Sequence, residues 1–274
     1  MKPNAADLLG PDGPLARQLP GFAPRLPQQQ MAQAVEATLA TGGALIVEAG
    51  TGTGKTFAYL IPALQSGTRI IISTGTRHLQ DQLFHQDVPM VRRALNRPVT
   101  TALLKGRSNY LCPYRLAAVE RDGLLDSRLQ VAELAQIRAW ADRTRSGDIA
   151  EITTVAETSP LWPRVTSTTD NCLGQHCPQL NDCFFVKART AAQTADLLVI
   201  NHHLLFADMA MKETGFAELL PGVDAFILDE AHQLPEIAGQ CFGQAVSSGQ
   251  LLELIRDTLV EQARDAADFP ELRQ

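Results

Sequence analysis

A glycine-rich stretch near the start of the chain has the residue types of a phosphate-binding loop. Residues 48–56 read EAGTGTGKT, whereas the usual pattern is G-x-x-x-x-G-K-[ST]. Ala49 stands where the first glycine is usual. The glycines that follow still free the backbone, so that consecutive N–H groups can point at phosphate oxygens. The plain alternative is a glycine-rich turn between a strand and a helix.

The end of this stretch adds charge and a metal ligand. Lys55 can reach the β- and γ-phosphates of a nucleotide, and the Thr56 hydroxyl can bind Mg²⁺. The first turn of the following helix contributes partial positive charge. We therefore expect an ATP site. Its predicted nucleotide contacts are Ala49, Gly50, Thr51, Gly52, Thr53, Gly54, Lys55 and Thr56.

A second stretch supplies the carboxylates that such an ATPase needs. Residues 225–232 read AFILDEAH, in which four apolar residues run into Asp229 and Glu230. Asp229 can hold the Mg²⁺ shell, and Glu230 can polarise the attacking water. By itself, D-E-A-H could be the acidic start of a helix. After a buried strand and downstream of the glycine-rich loop, it indicates the superfamily 2 helicase arrangement.

Four of the five cysteines could hold a metal centre. Their spacing is C-x59-C-x4-C-x5-C, at Cys112, Cys172, Cys177 and Cys183. Zinc sites usually show closely paired cysteines, whereas one cysteine far from a group of three is common in iron–sulfur proteins. His176 could complete a zinc site, so the spacing alone leaves both metals open. The fifth, Cys241, is expected to be a small apolar residue.

Six stretches occur in an order that is typical of one helicase family. They are RLPQQQM (25–31), EAGTGTGKT (48–56), ISTGTRHLQDQL (72–83), the four-cysteine block, VINHHLL (199–205) and DEAH (229–232). Together they resemble the DinG/XPD family of iron–sulfur superfamily 2 DNA helicases. LLKGRSNYLC (103–112) and WPRVTSTTDNC (162–172) make the chain most similar to the bacterial YoaA-type branch. The resemblance covers nearly the whole chain.

The resemblance implies a function and several residue roles. It implies an ATP-dependent DNA helicase of 5′→3′ polarity that acts in DNA repair or replication on single-stranded or forked DNA. It also implies a [4Fe–4S] cluster on the four cysteines, in addition to ATP and Mg²⁺ at the loop. Arg25 and Gln28 match the family's adenine-contacting segment, and His232 matches a histidine that couples the ATP site to the DNA site.

Two strand ends are candidates for contact with DNA. Thr74, Gly75 and Thr76 follow a predicted strand and precede a helix, where backbone N–H groups and hydroxyls suit a DNA phosphate. Asn201 and His202 end another predicted strand and, by resemblance, also face nucleic acid. The alternative at both places is that these side chains only cap the strand ends.

Short apolar runs alternate with helical patterns along most of the chain. The predicted strands are Ala44–Val47, Arg69–Ser73, Thr101–Leu104, Leu197–Ile200 and Ala225–Leu228. Predicted helices begin at about Lys55, cover His78–Asp87 and Ser127–Arg143, and resume after Ser247 with Ser247 or Ser248 as the cap. This alternation predicts an α/β fold with a parallel sheet, which the resemblance identifies as a RecA-like ATPase domain.

The alternation of strands breaks between the two ATPase motifs. Lys55 and Asp229 lie 174 positions apart, which is long for a bare RecA-like domain. We predict a RecA-like helicase domain in residues 1–104 and 190–246, an inserted iron–sulfur cluster domain in residues 105–189, and the truncated start of a helical, arch-like domain in residues 247–274. Little periodic apolar sequence follows Ala141, so we expect the insertion to bury little core of its own.

Charge is distributed unevenly along the chain. The net charge is −6, yet residues 87–145 contain 11 Lys and Arg against 6 Asp and Glu, while residues 207–274 contain 4 against 13. A basic middle is compatible with a polyanion site, and ordinary solvated faces are the alternative. The sequence shows no signal peptide and no run of ~20 apolar residues that could span a membrane. We expect a cytoplasmic protein with reduced thiols.

A rival function belongs to another class. The chain could be a non-motor fragment that binds DNA or protein and retains the ATP and cluster sites. Helicases of the resembled family use a second RecA-like domain, which supplies arginines to the ATP site, and nothing after Asp229 resembles one. We therefore expect the chain to be the N-terminal part of a helicase and not to unwind DNA by itself.

Overall fold

The fold is built around one parallel β-sheet with helices on both faces. The computed structural model describes residues 3–123, 125, 127–213, 219–243 and 255. Its strands are β1 (Ile70–Thr74), β2 (Thr101–Leu103), β3 (Leu197–Asn201) and β4 (Ala225–Leu228). Its helices are α1 (Ala5–Leu8), α2 (Pro14–Gln18), α3 (Leu26–Thr41), α4 (Lys55–Ser66), α5 (Arg77–Gln82), α6 (Val88–Leu95), α7 (Pro113–Asp122), α8 (Arg128–Ala141), α9 (Trp162–Val165), α10 (Phe184–Thr194), α11 (His202–Glu213) and α12 (Leu234–Phe242).

The strands are all parallel, in the order β2-β3-β1-β4. In this register Ile72 lies opposite Val199 on one side and Ile227 on the other. Because parallel strands end at the same edge of a sheet, the residues that follow β1, β3 and β4 meet there. The prediction of an α/β fold with a parallel sheet is confirmed, and so are four of the five predicted strands.

Successive residues of the central strands enter two different cores. Ile70 and Ile72 pack with α4 and the N-terminal helices on one face. Ile71, Leu198 and Ile200 pack with α10 and α11 on the other face. Both faces of β1 and β3 are therefore buried, which explains why these strands read as continuous apolar runs rather than alternating ones.

The fifth predicted strand, Ala44–Val47, is wrong. This segment has no regular secondary structure, and Ile46 is 97% exposed. β4 is an edge strand of the sheet, and in the described part of the chain no backbone hydrogen bond joins residues 44–47 to it. Four apolar residues become a strand only where a neighbour completes their backbone hydrogen bonds, and periodicity alone cannot show that neighbour.

The other helix predictions agree with the structure where it can be compared. α5, a π-helical turn at Leu83–Asp87 and α6 together include the predicted helix at 78–87. α8 covers most of the helix predicted at 127–143, and the Ser127 hydroxyl accepts a hydrogen bond from the backbone N–H of Gln130. The helix predicted after Ser247 lies outside the described residues. None of the described helices is long and apolar enough to cross a membrane.

Residues 111–165 bury a core of their own, contrary to the expectation from sequence. Its larger members are Leu111, Leu116, Ile137, Trp140, Leu161, Trp162 and Val165. Several of them follow Ala141, in turns and the short helix α9, where no regular apolar period can develop. The core lies within the predicted insertion, but the proposed domain boundaries stay a prediction.

Candidate functional site

The glycine-rich loop leads directly into α4, as expected for a phosphate site. Gly52 and Gly54 have φ angles of 76° and 81°, in the left-handed region that glycine adopts without strain. The Thr53 hydroxyl donates to the carbonyl of Gly50 at 2.9 Å. Lys55 is the first residue of α4, so the partial positive charge of the helix N-terminus adds to that of the side chain. The loop can therefore bind a phosphate group.

Gln28 joins α3 to this loop. Its Nε2 donates to the carbonyl of Gly54 at 2.9 Å, and a Cβ on Gly54 would collide with the same amide. The side chain is buried, and its Oε1 has no hydrogen-bond partner among the described residues. Because buried acceptors are normally satisfied, this oxygen has a hydrogen-bonding capacity that the described residues leave unused. Arg25 is exposed at the start of α3.

The end of β4 brings two carboxylates to the loop. Lys55 Nζ lies 3.4 Å from Glu230 Oε1, although the two residues are 175 positions apart. The Tyr59 hydroxyl donates to Asp229 Oδ2 at 3.3 Å and also interacts with the side chain of Thr56. Tyr59 therefore connects the two residues predicted to bind Mg²⁺.

Burial and nearby negative charge raise the pKa values of two acids, Asp229 and Asp87. Burial is the main reason why the pKa of Asp229 lies above its ordinary value, and the charge of Glu230 raises it further. Burial also raises the pKa of Asp87, with a further contribution from the charge of Asp229. A bound divalent cation would reverse this effect by favouring the ionised carboxylates. Thr56 and Asp229 therefore fit a Mg²⁺ ion.

Glu230 is held in an unusual backbone conformation. Its φ and ψ are 54° and 41°, a left-handed conformation that costs strain in a residue other than glycine. Its carboxylate lies between Lys55 and His232, whose Nδ1 is 3.4 Å from Glu230 Oε2. The side chain of His232 is 71% exposed. The structure thus brings together the four residues predicted to act in catalysis, which are Lys55, Asp229, Glu230 and His232.

The strand-end candidates for DNA contact are mostly not at the surface. Thr74 and Gly75 are buried, whereas Thr76 is exposed and its hydroxyl accepts from the backbone N–H of Leu79 at the start of α5. The Asn201 side chain accepts from the backbone N–H of Leu204 in α11. Both side chains thus cap the backbone just after a strand, which is the alternative to DNA contact that the sequence left open. Contact between DNA and the exposed start of α5 stays a prediction.

His202 lies inside the protein, so it does not present its ring to DNA in this structure. Its Nδ1 is 2.7 Å from the Ser73 hydroxyl, and its Nε2 is 2.8 Å from the carbonyl oxygen of Asp229. Burial lowers the pKa of His202, which favours the neutral ring. Both ring nitrogens have partners within the protein. The prediction that this side chain contacts DNA is therefore not met.

The four cysteines line one cavity of about 570 Å³. Cys112 and Cys183 stand immediately before α7 and α10, and Cys172 and Cys177 lie in the turns that precede α10. Burial raises the pKa of the Cys112 thiol, and the nearby Cys183 and Cys177 raise it further. The fold therefore collects cysteines that are widely separated in sequence.

The surroundings of this cavity suit a negatively charged metal–thiolate group. Arg107 Nη1 and the backbone N–H of Gly174 donate to Cys172 Sγ at 3.4 and 3.5 Å. Arg115 and Arg189 also line the cavity. Among the described residues, no three His, Cys, Asp or Glu side chains are close enough to share one metal ion. The identity of a metal centre on these cysteines, zinc or iron–sulfur, stays a prediction.

Comparison with known proteins shows which helicases the chain resembles. Residues 27–110 match the DEAD/DEAH box helicase family. The chain is 52% identical, over 98% of its length, to the ATP-dependent DNA helicase YoaA of Escherichia coli K12. The chain therefore carries a match to the DEAD/DEAH box helicases and is similar over most of its length to helicases of the YoaA and DinG type. It is also 48% identical over 97% of its length to YoaA of Haemophilus influenzae, and 38% identical over 79% to the ATP-dependent helicase DinG of Mycobacterium tuberculosis.

These helicases are longer than the chain. It spans 42% of the length of each of the two YoaA proteins and 35% of the mycobacterial DinG. The activity of a whole helicase is therefore a proposal for this chain.

Sequence reasoning missed two residues of the site. Tyr59 lies three residues after Thr56, on the same face of α4, and this spacing was a usable signal. Gln233 follows the DEAH stretch, and its side-chain amide lies against Gly75, where an added Cβ would have to displace it. Nothing in the spacing of the sequence indicated this second contact.

Proposed function

We propose that this chain is the ATP-binding part of a cytoplasmic, ATP-dependent DNA helicase of 5′→3′ polarity that acts in DNA repair or replication. The observation that carries the proposal is the convergence of Lys55, Asp229 and Glu230 at one edge of the sheet. The printed names of the similar YoaA and DinG proteins, which are helicases, support it. The proposed substrate is single-stranded or forked DNA.

The proposed mechanism assigns one task to each group at the strand end. Thr56 and Asp229 would hold Mg²⁺, which when bound neutralises charge on the phosphates. Lys55 pairs with Glu230 in the present structure, and it would turn to the β- and γ-phosphates when nucleotide enters. Glu230 would then be free to accept a proton from the attacking water. The unpartnered Oε1 of Gln28 would accept a hydrogen bond from adenine.

We also propose that Cys112, Cys172, Cys177 and Cys183 hold a [4Fe–4S] cluster. Their common cavity and the hydrogen bond from Arg107 to Cys172 support this ligand set. When bound, the cluster would supply a rigid cross-link between segments that are far apart in sequence. Arg107, Arg115 and Arg189 would offset the negative charge of the thiolates.

The test measures ATP hydrolysis with and without a single-stranded oligonucleotide, and then strand displacement by the natural full-length protein. We expect single-stranded DNA to stimulate hydrolysis and displacement to require a 5′ tail on the duplex. Lys55→Ala serves as the inactive reference, since it removes the phosphate contact. Displacement that requires a 3′ tail would overturn the polarity.

The rival function predicts another outcome. A non-motor fragment that retains the ATP and cluster sites would bind both ligands, yet DNA would not change its rate of hydrolysis. This result, obtained with the full-length protein, would exclude the helicase.

A further inference from the structure

A closed set of hydrogen bonds links the ends of three strands through His202. The ring lies 2.7 Å from the Ser73 hydroxyl at the end of β1 and 2.8 Å from the Asp229 carbonyl that follows β4. The backbone N–H of Asp229 donates in turn to the carbonyl of Ser73 at 2.8 Å. Ser73 and His202 are both fully buried. Water therefore does not compete for these bonds.

The direction of each bond follows from the groups involved. A backbone carbonyl can only accept, so Nε2 of His202 carries the hydrogen and donates to Asp229. Nδ1 of a neutral ring is then an acceptor, and the Ser73 hydroxyl must donate to it. Each partner uses the one role open to it. The arrangement therefore suits the neutral histidine that burial favours, placed between a hydroxyl and a carbonyl.

The bond to Asp229 acts on the catalytic carboxylate. The carbonyl belongs to the peptide group that joins Asp229 to Glu230, and Glu230 has the strained φ of 54°. A strained conformation persists only where its surroundings hold it. By fixing this peptide group, His202 fixes the direction in which the Glu230 side chain leaves the backbone.

The bond to Ser73 acts on the loop predicted to contact DNA. Ser73 immediately precedes Thr74, Gly75 and Thr76. A second contact joins the same loop to the DEAH stretch, because the side-chain amide of Gln233 lies directly against Gly75. Two independent contacts therefore connect the loop at the end of β1 with the turn that carries Glu230. His232, by contrast, is exposed, and its Nδ1 lies 3.4 Å from the Glu230 carboxylate.

We propose that His202 is a positioning residue that couples occupancy of the nucleotide site to the loop 74–76, through Ser73 on one side and the peptide of Asp229 on the other. The inference rests on the proposed function, because it takes the loop to contact DNA. A shift of the Glu230 turn on nucleotide binding would move the histidine and the end of β1 with it. Binding at either site then alters affinity at the other by the same factor, as linkage requires.

The experiment measures this factor directly. The affinity for a fluorescent, non-hydrolysable ATP analogue with Mg²⁺ is determined with and without saturating oligo-dT, and the ratio of the two dissociation constants is the coupling factor. We expect the wild-type factor to be roughly 5-fold or more, the lower end of typical coupling. Ser73→Ala and His202→Gln should bring it close to one. Each variant should keep its separate affinities for nucleotide and for DNA within about 3-fold, as expected for residues that touch neither ligand.

Two further variants separate positioning from loss of structure. His85→Gln changes an exposed histidine outside the site and should leave the factor unchanged. The double variant Ser73→Ala/His202→Gln should lose no more coupling than either single variant, because both changes break one shared link. Circular dichroism measures whether each variant is folded. If His202→Gln does not fold, the coupling factor of Ser73→Ala alone decides the test. That variant leaves the histidine ring and its bond to Asp229 in place.

The outcomes are distinct. A wild-type factor of one, or variants that keep the wild-type factor, would overturn the coupling role while leaving the helicase assignment intact. Failure of the wild-type protein to bind oligo-dT at all would overturn the proposed function, and this inference with it.

Discussion

Tyr59 is the one side chain of α4 that touches both predicted magnesium ligands. Its hydroxyl donates to Asp229 Oδ2 at 3.3 Å and interacts with Thr56. The ring is buried and fixed by its neighbours, with 3% of its surface exposed. A buried hydrogen bond to an ionised carboxylate orients that carboxylate before the metal arrives. We therefore infer that Tyr59 orients Asp229 for the proposed Mg²⁺ ion without being a ligand itself.

We predict that Tyr59→Phe weakens the effect of Mg²⁺ on nucleotide binding. The affinity for an ATP analogue in EDTA should stay within about 2-fold of wild type, since the ring remains. The gain in affinity on adding Mg²⁺ should fall about 10-fold, on the scale of about 1.5 kcal/mol for a hydrogen bond to a charged group. Fluorescence titration with and without Mg²⁺ measures both values.

Tyr110→Phe is the matched control for this prediction. Tyr110 is also buried, but its hydroxyl accepts from the backbone N–H of Lys105, away from the ATP site. This variant should keep the wild-type response to Mg²⁺. An equal loss in both variants would mean that the effect arises from general destabilisation.

Glu230 offers a second test at the scale of one residue. Glu230→Gln keeps the size of the side chain but removes its ability to accept a proton. In the full-length protein we expect ATP binding to be retained and turnover to fall by ~10²-fold or more, the scale of a lost general base. Steady-state hydrolysis and analogue binding are measured in parallel. Turnover at the wild-type rate would show that the DEAH assignment is wrong.

At the scale of elements, one buried lysine ties the sheet to the core of residues 111–165. The Lys105 side chain is 2% exposed, and its Nζ lies 2.6 Å from Asp81 Oδ1 and 2.7 Å from Asp148 Oδ2. Asp81 is on α5, while Asp148 begins a turn in the predicted insertion. Removing one member of such a buried group leaves the other charges unpaired in a low dielectric. The junction between the two parts therefore depends on Lys105.

We predict that Lys105→Met destabilises the protein by about 3–5 kcal/mol, the usual cost of breaking a buried ion pair from one side. Urea unfolding followed by circular dichroism measures the change. Lys187→Met is the control, because Lys187 is half exposed and 3.8 Å from Asp182, and exposed pairs contribute about 0–1 kcal/mol. Equal stability of Lys105→Met and the wild type would contradict a structural role for the buried group.

The cysteine cavity belongs to the same scale, because it forms only when α7 and α10 come together. We predict that anaerobically purified protein is brown, with broad absorption near ~400 nm and about four irons per chain. Changing any of the four cavity cysteines to Ser should lose iron. Cys241→Ser should not, since Cys241 lies on α12 and does not line the cavity. Stoichiometric zinc without iron would refute the cluster.

At the scale of the whole molecule, the described residues contain one parallel sheet and one set of ATP motifs. An arginine that meets the charge on the transferring phosphoryl group is worth ~10³–10⁵ in rate, and in the resembled family it comes from a second domain. We predict that the 274-residue polypeptide by itself binds ATP·Mg²⁺ and single-stranded DNA weakly but does not unwind a 5′-tailed duplex. DNA binding should weaken steeply with salt, as counterion release requires.

Strand-displacement and filter-binding assays with this polypeptide check the prediction. Robust ATP-dependent unwinding would show that one sheet suffices for the motor. DNA binding that is insensitive to salt would argue against contacts dominated by phosphates.

The sequence by itself predicted the chemistry of the ATP site. Lys55 with its glycines and Asp229 with Glu230 each follow from a local pattern, because backbone freedom, charge and metal affinity are properties of short stretches. The parallel sheet also followed, since continuous apolar runs such as those of β1 and β3 indicate strands buried on both faces. The four cysteines could be named from their spacing, although the choice between zinc and iron could not.

Only the tertiary structure decided which of these residues meet, and which side chains reach the surface. The run at 44–47 is apolar enough for a strand, yet no neighbour in the described part of the chain pairs with it. His202 ends a strand as a DNA contact could, yet its ring is enclosed between Ser73 and Asp229, which lie far away in sequence. Pairing and burial depend on long-range neighbours, so local patterns cannot determine them. For the same reason the contact of Tyr59 with Asp229, and the links through Lys105 and Gln233, became visible only once the chain was folded.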